Sequence, residues 1–475
     1  MLRQAAMNRY PTLATKTRTW RGWGTLCFIV AALALPGAAR TRPHYGGTLR
    51  VEVEGDAWTQ GGQQRGGLAR RLVLDGLTRM DADGAARPAL AVRWESENND
   101  HRWQFWLRPG VRFGDGSPLT SAVVVESLTG ACGASCPWTE VHAVGSTVIF
   151  TGDSHLPNLP ALLAGDDLLI ARPGSIPSGA ASITGPFLGT GGFQPVSLSN
   201  GVLTLAASDS CWQGRPFVDR IEIVGHKSIR DQWLDLSVGR ADLVEVPAEQ
   251  LRQAREQHLT VAVSPPVELL ALAVADGGFL SNPNLRAAIA LAVDRGALSN
   301  VIFQKQGEIT ASLLPSALTG YSFLFSADRD LNKARELRGG LTPPPLALST
   351  GGGAAMQLAA QRIALNLREA GFNVQVADPG RPQHNDLVLL RLTLESNQPR
   401  AGLELLMRSV GVATPVGEND PAGLYRVERE FLDTHTLVPL LYLPRAYAAS
   451  GRVRDLRLSS DGAPLLAGVS LEDAP

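Results

Sequence analysis

The sequence predicts an α/β fold built from more than one domain, and three observations carry that prediction. Strand-like and helix-like segments alternate along the chain, the pattern of α/β architecture. The 475 residues, 44% hydrophobic and 19% charged, exceed what one hydrophobic core organises, so two or three domains are expected. The 49 glycines and 31 prolines stand singly as turn punctuation and form no low-complexity tract, so the chain is expected to fold throughout.

The first 39 residues read as a secretory signal. Arg3, Arg9, Lys16, Arg18 and Arg21 precede an apolar run from Trp23 to Leu35, and Pro36, Gly37, Ala38 and Ala39 follow it. The run is shorter than the roughly 20 residues that span a bilayer, so cleavage after Ala39 is expected in place of anchoring. Cys27 sits inside the run and not after it, which argues against lipidation. The mature product is expected to be periplasmic or extracellular.

Beyond the signal, Gly47 to Glu54 alternates like a strand, Leu68 to Leu77 has helical spacing, and Asp81 to Gly84 is a turn. Arg102 to Leu107 is a second strand, and Leu119 to Leu128 a helix that Gly130 is expected to stop. Glycines and prolines crowd between Pro157 and Pro195, as in a passage between lobes. Leu285 to Phe303 and Ala354 to Ala370 are amphipathic helices, the second closed by Gly371 before the strand-like Phe372 to Val376.

Charge and motifs exclude several functions. The 44 basic and 45 acidic residues leave a formal charge of -1, so no basic field exists for nucleic acid or an anionic membrane. There is no G-x-S-x-G, no H-E-x-x-H and no G-x-x-x-x-G-K-[ST], and the eight histidines lack ligand spacing, so neither an enzyme nor a metal or other cofactor is expected. Ser349 to Gly353, STGGG, precedes a helix; it imitates an anion site but is explained as simply by a strand-to-helix turn. Cys132 and Cys136, in CGASC, are near enough for a local disulfide, and too few ligands surround them for a metal. Cys211 has no evident partner.

Several motifs in order then resemble one family. LVLDGLTRMDADGAARPALAVRWES followed by WQFWLRPGVRFGDGSPLTS resembles the opening lobe of family 5 extracellular solute-binding proteins, with Gly76, Leu77, Pro88, Leu90, Ala91, Leu107, Arg108, Gly110, Val111, Phe113, Asp115, Gly116, Pro118, Leu119 and Thr120 in the family's places. The resemblance continues through GTGGF at Gly189 to Phe193, CWQGRPFVDRIEI at Cys211 to Ile223, and LSVGRADLVEV at Leu236 to Val246. NPNLRAAIALAVDRGAL, AAQRIALNLREAGFNVQV and LVPLLYLP complete it, so that the resemblance spans about Tyr45 to Leu471.

The resemblance implies a two-lobed, type II periplasmic-binding-protein-like fold with mixed sheets, flanking helices and a hinge between the lobes. One lobe is expected from residues 40–60, 185–265 and 445–475, a subdomain packed on it from 61–184, and the second lobe from 266–444. It further implies capture of a peptide or other small solute in the cleft by a monomer, delivery to the permease and ATPase of an ABC importer, and contact with the membrane only through that permease. A sensory or scaffold protein that kept the fold and lost transport is the alternative.

Candidate lining residues are Trp58, whose indole either stacks on a ligand or packs in a core; Gly189, Gly191 and Gly192, which allow close backbone approach or simply shape a turn; and Tyr442, which reaches the cleft or fills a core. Departures from the family pattern bear on specificity. Ser121 to Val124 replace its Ala-x-Asp-Val, Cys211 replaces a customary Tyr, and no aromatic and Asp-Pro loop follows Asp386 before Glu395. That loop often supplies the carboxylate for a peptide's amino terminus. Asp386, Glu395 and Glu404 are the acidic residues left nearby to replace it, each also explicable as a surface carboxylate.

Overall fold

Strand Thr48–Glu52 opens a mixed sheet of eleven strands that organises most of the protein. The computed structural model describes residues 44–55, 68–81, 84–132, 136–153, 155–156, 158–174, 188–341, 343–351, 353–377, 385–394, 398–412 and 420–472. The signal segment lies outside them. Along the sheet the order is Val374–Val376, Leu346–Thr350, Leu387–Thr393, Thr260–Val274, Leu437–Ala449, Leu243–Glu245, Thr48–Glu52, Arg220–Val224, Val202–Ala207 and Phe193–Ser199, with Glu308–Ile309 pairing beside Leu437–Ala449.

Two strands belong to both halves of this sheet. Thr260–Val274 and Leu437–Ala449 run antiparallel, paired from Thr260↔Ala449 to Ala273↔Leu437. Their outer ends carry different neighbours: Leu243–Glu245 flanks Tyr447 to Ala449, whereas Leu387–Thr393 flanks Glu268 to Val274. The register slips on both sides of Pro266, which faces Pro444. Neither proline has an N–H to give, so the ladder is weakest at this point.

Period-two alternation gives each half a core on both faces. In the first half Leu49, Val51, Phe193, Ile221 and Leu243 pack on one side, and Val244, Val246, Ala446 and Ala448 on the other. In the second half Leu270, Leu272, Leu348 and Leu389 meet helices Pro283–Ala292 and Ala354–Glu369. Leu269, Ala271, Leu390 and Leu392 point the opposite way, against helices Pro399–Ser409 and Pro421–Leu432. A fifth core, including Leu77, Phe105, Val124, Phe150, Leu163 and Ile170, sits under a separate four-stranded sheet and helix Ser121–Cys132. This is the two-lobed, mixed-sheet α/β arrangement expected.

Two local expectations need correction. Helix Ser121–Cys132 runs through Gly130, since one interior glycine costs only about 1 kcal/mol. The helix expected over Leu285 to Phe303 breaks after Ala292, because Val293 is extended and Asp294 caps a new turn through Oδ1, which accepts from Ala297 N at 2.8 Å. Much of the passage expected between Pro157 and Pro195 lies outside the described residues. Leu159, Leu163, Leu168, Ile170 and Leu188 of that stretch belong to the fifth core.

Candidate functional site

A cavity of about 1160 Å³ opens where the halves of the sheet meet. One wall comes from the first half: Val53 to Gly55 after the opening strand, and Glu245 to Gln250 after strand Leu243–Glu245. The other comes from the second: Gly351, the helix start at Gly353 to Met356, and strand residues Leu389 to Thr393. Glu268 and Arg445, one on each long strand beside the proline pair, lie between them.

Charged side chains form the deeper wall. Arg71 donates from Nε to Asp166 at 2.9 Å and from Nη2 to Asp461, both carboxylates being almost fully buried. Burial opposes ionisation of Asp461, yet Arg71 with the Ser459 hydroxyl holds its carboxyl well below the usual range. Arg445 Nε stands 3.6 Å from Glu268 Oε1, and Arg391 Nη1 3.6 Å from Glu268 Oε2, so one carboxylate serves a cation from each half. The arginines keep 27–31% of their side chains exposed, so breaking one of these pairs costs less than the roughly 3–5 kcal/mol of a fully buried pair.

The carboxylates at the rim differ in their satisfaction. Glu245 Oε2 accepts from Glu54 N at 2.5 Å, and burial raises its carboxyl above the ordinary value against that bond. The Glu54 carboxylate reaches the opposite wall, where a Cβ added to Gly353 would stand 2.8 Å from Oε1. It thus lies at the positive end of helix Ala354–Glu369, whose dipole favours an anion. Gly351 and Gly353 of the STGGG stretch seen in the sequence therefore belong to the cavity wall. Glu249 Oε2, by contrast, is buried with no hydrogen-bond partner, and burial raises its carboxyl, against its own backbone N–H and the charge of Arg391.

The candidates from sequence are not brought together here. Trp58 lies outside the described residues. Gly189 and Gly191 pack against helix Leu68–Val73, where a Cβ at Gly189 would sit 1.8 Å from Val73 O and one at Gly191 2.5 Å from Leu72 O, and a Cβ at Gly192 would stand 3.0 Å from the Pro216 ring. Close backbone packing, not a ligand, requires glycine at Gly189 and Gly191. Thr190 between them donates to Asp75 Oδ2 at 2.8 Å, as does Trp212 Nε1 at 2.9 Å. Tyr442 is fully buried and donates its hydroxyl to Leu313 O. Asp386 Oδ2 accepts from Ala347 N at 2.8 Å at the strand edge, and Glu404 pairs with Arg400 at 2.7 Å. Glu395 is outside the described residues. None of the described candidates lines the cavity. Cys136 is disulfide-bonded and Cys211 is a free thiol; the side chain of Cys132, the expected partner, is outside the described residues.

The residues that do line it had a signal of a different kind. Glu245, Glu268, Arg391 and Arg445 are single charges within the apolar strand sequences LVEV, VELLALAV, LVLLRLTL and LYLPRAYAA. A charge in such a run is costly unless paired or functional.

Residues 85–388 match the family profile described as bacterial extracellular solute-binding proteins, family 5 Middle. The chain belongs to this family. It is 25% identical over 280 residues to the probable D,D-dipeptide-binding periplasmic protein DdpA of Escherichia coli (strain K12), covering 55% of this chain and 54% of that protein. The chain thus spans about half, or less, of the length of the curated relatives it matches. Among solved structures, AgaA of A. tumefacien R10 in complex with agropinic acid aligns with a TM-score of 0.77 at 19% identity, covering 90% of this chain and 99% of that one. AppA of Bacillus subtilis, in complex with a nonapeptide, aligns at 0.75 with 15% identity, over 91% and 100%. These likenesses establish the two-lobed, type II fold of this family 5 chain.

Proposed function

We propose that this chain is the extracytoplasmic substrate-binding component of an ABC importer, capturing a peptide or peptide-like small solute in the cleft and delivering it to a permease and its ATPase. The observation that carries the reading is the cavity itself: about 1160 Å³, walled by both halves of the sheet and placed beside the proline pair. A solute touching both walls favours the closed arrangement, because it gains contacts there that it lacks when the lobes part. No chemistry on the solute is needed. The lobes are residues 40–60, 185–265 and 445–475 on one side and 266–444 on the other, with 61–184 packed on the first. The protein acts as a monomer after removal of residues 1–39, and no helix among the described residues is long and apolar enough to cross a membrane.

Thermal-shift screening against peptides, nickel chelates and sugars tests this. A ligand that binds only the folded state adds about 2.7 kcal/mol at a hundredfold excess over Kd. Small-angle scattering with the hit should show compaction; an unchanged radius of gyration at saturation refutes closure.

A further inference from the structure

Two unsatisfied groups of opposite charge mark the cavity. Ten buried side-chain nitrogen or oxygen atoms lack a hydrogen-bond partner among the described residues, and only Glu249 Oε2 and Arg391 Nε belong to residues that line the cavity. They come from opposite walls. Glu249 lies on the short turn Ala248–Gln250 that follows strand Leu243–Glu245 in the first half. Arg391 projects from strand Leu387–Thr393 in the second. The charge of Arg391 acts on Glu249, but no hydrogen bond or ion pair between them is formed. Arg391 keeps Nη1 on Glu268 at 3.6 Å and leaves Nε over.

A buried polar atom without a partner costs about 1–3 kcal/mol, more when it is charged. Here one acceptor and one donor bear that cost in the same cavity, one on each wall, while the neighbouring Arg71, Asp166, Glu268 and Arg445 are paired. From this geometry we infer that the cleft holds a zwitterion, its ammonium on Glu249 and its carboxylate on Arg391. The inference rests on the solute-binding reading above and assigns the charges that the ligand must carry. A solute bearing both charges satisfies both walls at once, so each lobe gains a charge-assisted bond only when the cleft is closed. A molecule with one charge leaves the other wall as it was. Glu249 thereby takes the role for which Asp386 and Glu404 are unavailable.

Calorimetry on the secreted chain decides the matter, with a panel of unblocked dipeptides each set beside its N-acetyl and C-amide forms. The best unblocked dipeptide should weaken roughly ten- to a hundredfold on either blocking, one charge-assisted bond being lost each time. E249Q should abolish the penalty for acetylation and keep that for amidation; R391Q should do the reverse, and R391K should restore part of it. A purely structural role predicts something else. If Glu249 held the turn together, E249Q would melt several degrees below the wild type without ligand, whereas a group kept for a ligand leaves the melting temperature equal or higher. Binding that ignores both blocking groups, or variants that keep both penalties, would overturn the inference and leave the solute-binding reading standing. No binding by any dipeptide, blocked or free, would overturn the inference; if chelates and sugars also failed, the solute-binding reading would fall with it.

Discussion

Glu428 holds the second half of the sheet to the chain beneath it, and its removal has a calculable cost. It lies on helix Pro421–Leu432 with no exposed surface. Its Oε1 accepts from Ser312 Oγ at 2.6 Å, from Leu313 N, and from Leu314 N at 3.3 Å, and its Oε2 accepts from the Tyr321 hydroxyl at 2.9 Å. E428L keeps a side chain of similar bulk and removes every acceptor. Ser312 retains the Leu314 carbonyl at 2.9 Å, so three donors are stranded: two backbone N–H groups and the phenol. At about 1–2 kcal/mol each the loss is roughly 3–6 kcal/mol, a large part of a usual stability of about 5–15 kcal/mol. E428Q preserves one acceptor and should lose only about 1–2 kcal/mol. Urea unfolding followed by circular dichroism reads both as lower midpoints. A midpoint for E428L within about 0.5 kcal/mol of the wild type would refute the accounting. The pH dependence has a definite sign. Burial raises the Glu428 carboxyl above its ordinary 4.5, opposed by the Ser312 and Tyr321 hydroxyls. The folded state thus binds this proton more tightly than the unfolded one. The contribution is full below about pH 4.5 and lost as pH rises through the folded value, a loss absent from E428Q.

Three further outcomes follow from the packing and the charges. G189A places a Cβ 1.8 Å from the Val73 carbonyl, backbone that does not yield, and should lower stability by about 2–3 kcal/mol; unchanged melting would show that the close approach is not real. Iodoacetamide without reductant should modify Cys211 slowly, since burial raises its thiol pKa, and should leave Cys136 unmodified until a reductant is added; mass spectrometry showing Cys136 labelled from the start would contradict this. D461N should cost at most about 3 kcal/mol by stranding part of Arg71. Asp461 titrates lower when folded, so its contribution is present above about pH 3.8, the unfolded value, and is lost as pH falls through the depressed one; acid unfolding at the same pH in D461N and wild type would disprove it.

The fold was legible because its determinants are local and periodic. Alternation in Thr48–Glu52 and Arg102–Leu107 and helical spacing in Ala354–Glu369 survive folding almost residue for residue. What failed locally were capping decisions, such as Asp294 restarting a helix that its apolar spacing continues. The site was less legible for a topological reason. Arg71, Glu249, Glu268, Arg391 and Arg445 are scattered over 375 positions of sequence, and only the sheet order draws them to one cavity. Glycines and aromatics in family motifs drew attention instead, and at Gly189 and Tyr442 those motifs record backbone packing and core filling. The better sequence signal was the lone charge inside an apolar strand.

The same sheet order points to where the proposed closure would bend a continuous sheet. Bending costs least where the fewest hydrogen bonds and packed side chains must change. Each half has cores of its own on both faces, so neither bends cheaply within itself. Among the described residues the strands shared by the two halves are the two long ones, and there Pro266 faces Pro444 with the register slipping on either side. The opposed prolines remove donors that would otherwise stiffen the ladder, and Ser264 Oγ substitutes locally by accepting from Arg445 N at 2.9 Å. Glu268 and Arg445 follow these prolines directly, two residues and one residue on, so their ion pair sits at the pivot. A rotation of the lobes about that point, as the proposed closure requires, would displace these charges least and would let Glu268 keep both Arg445 and Arg391.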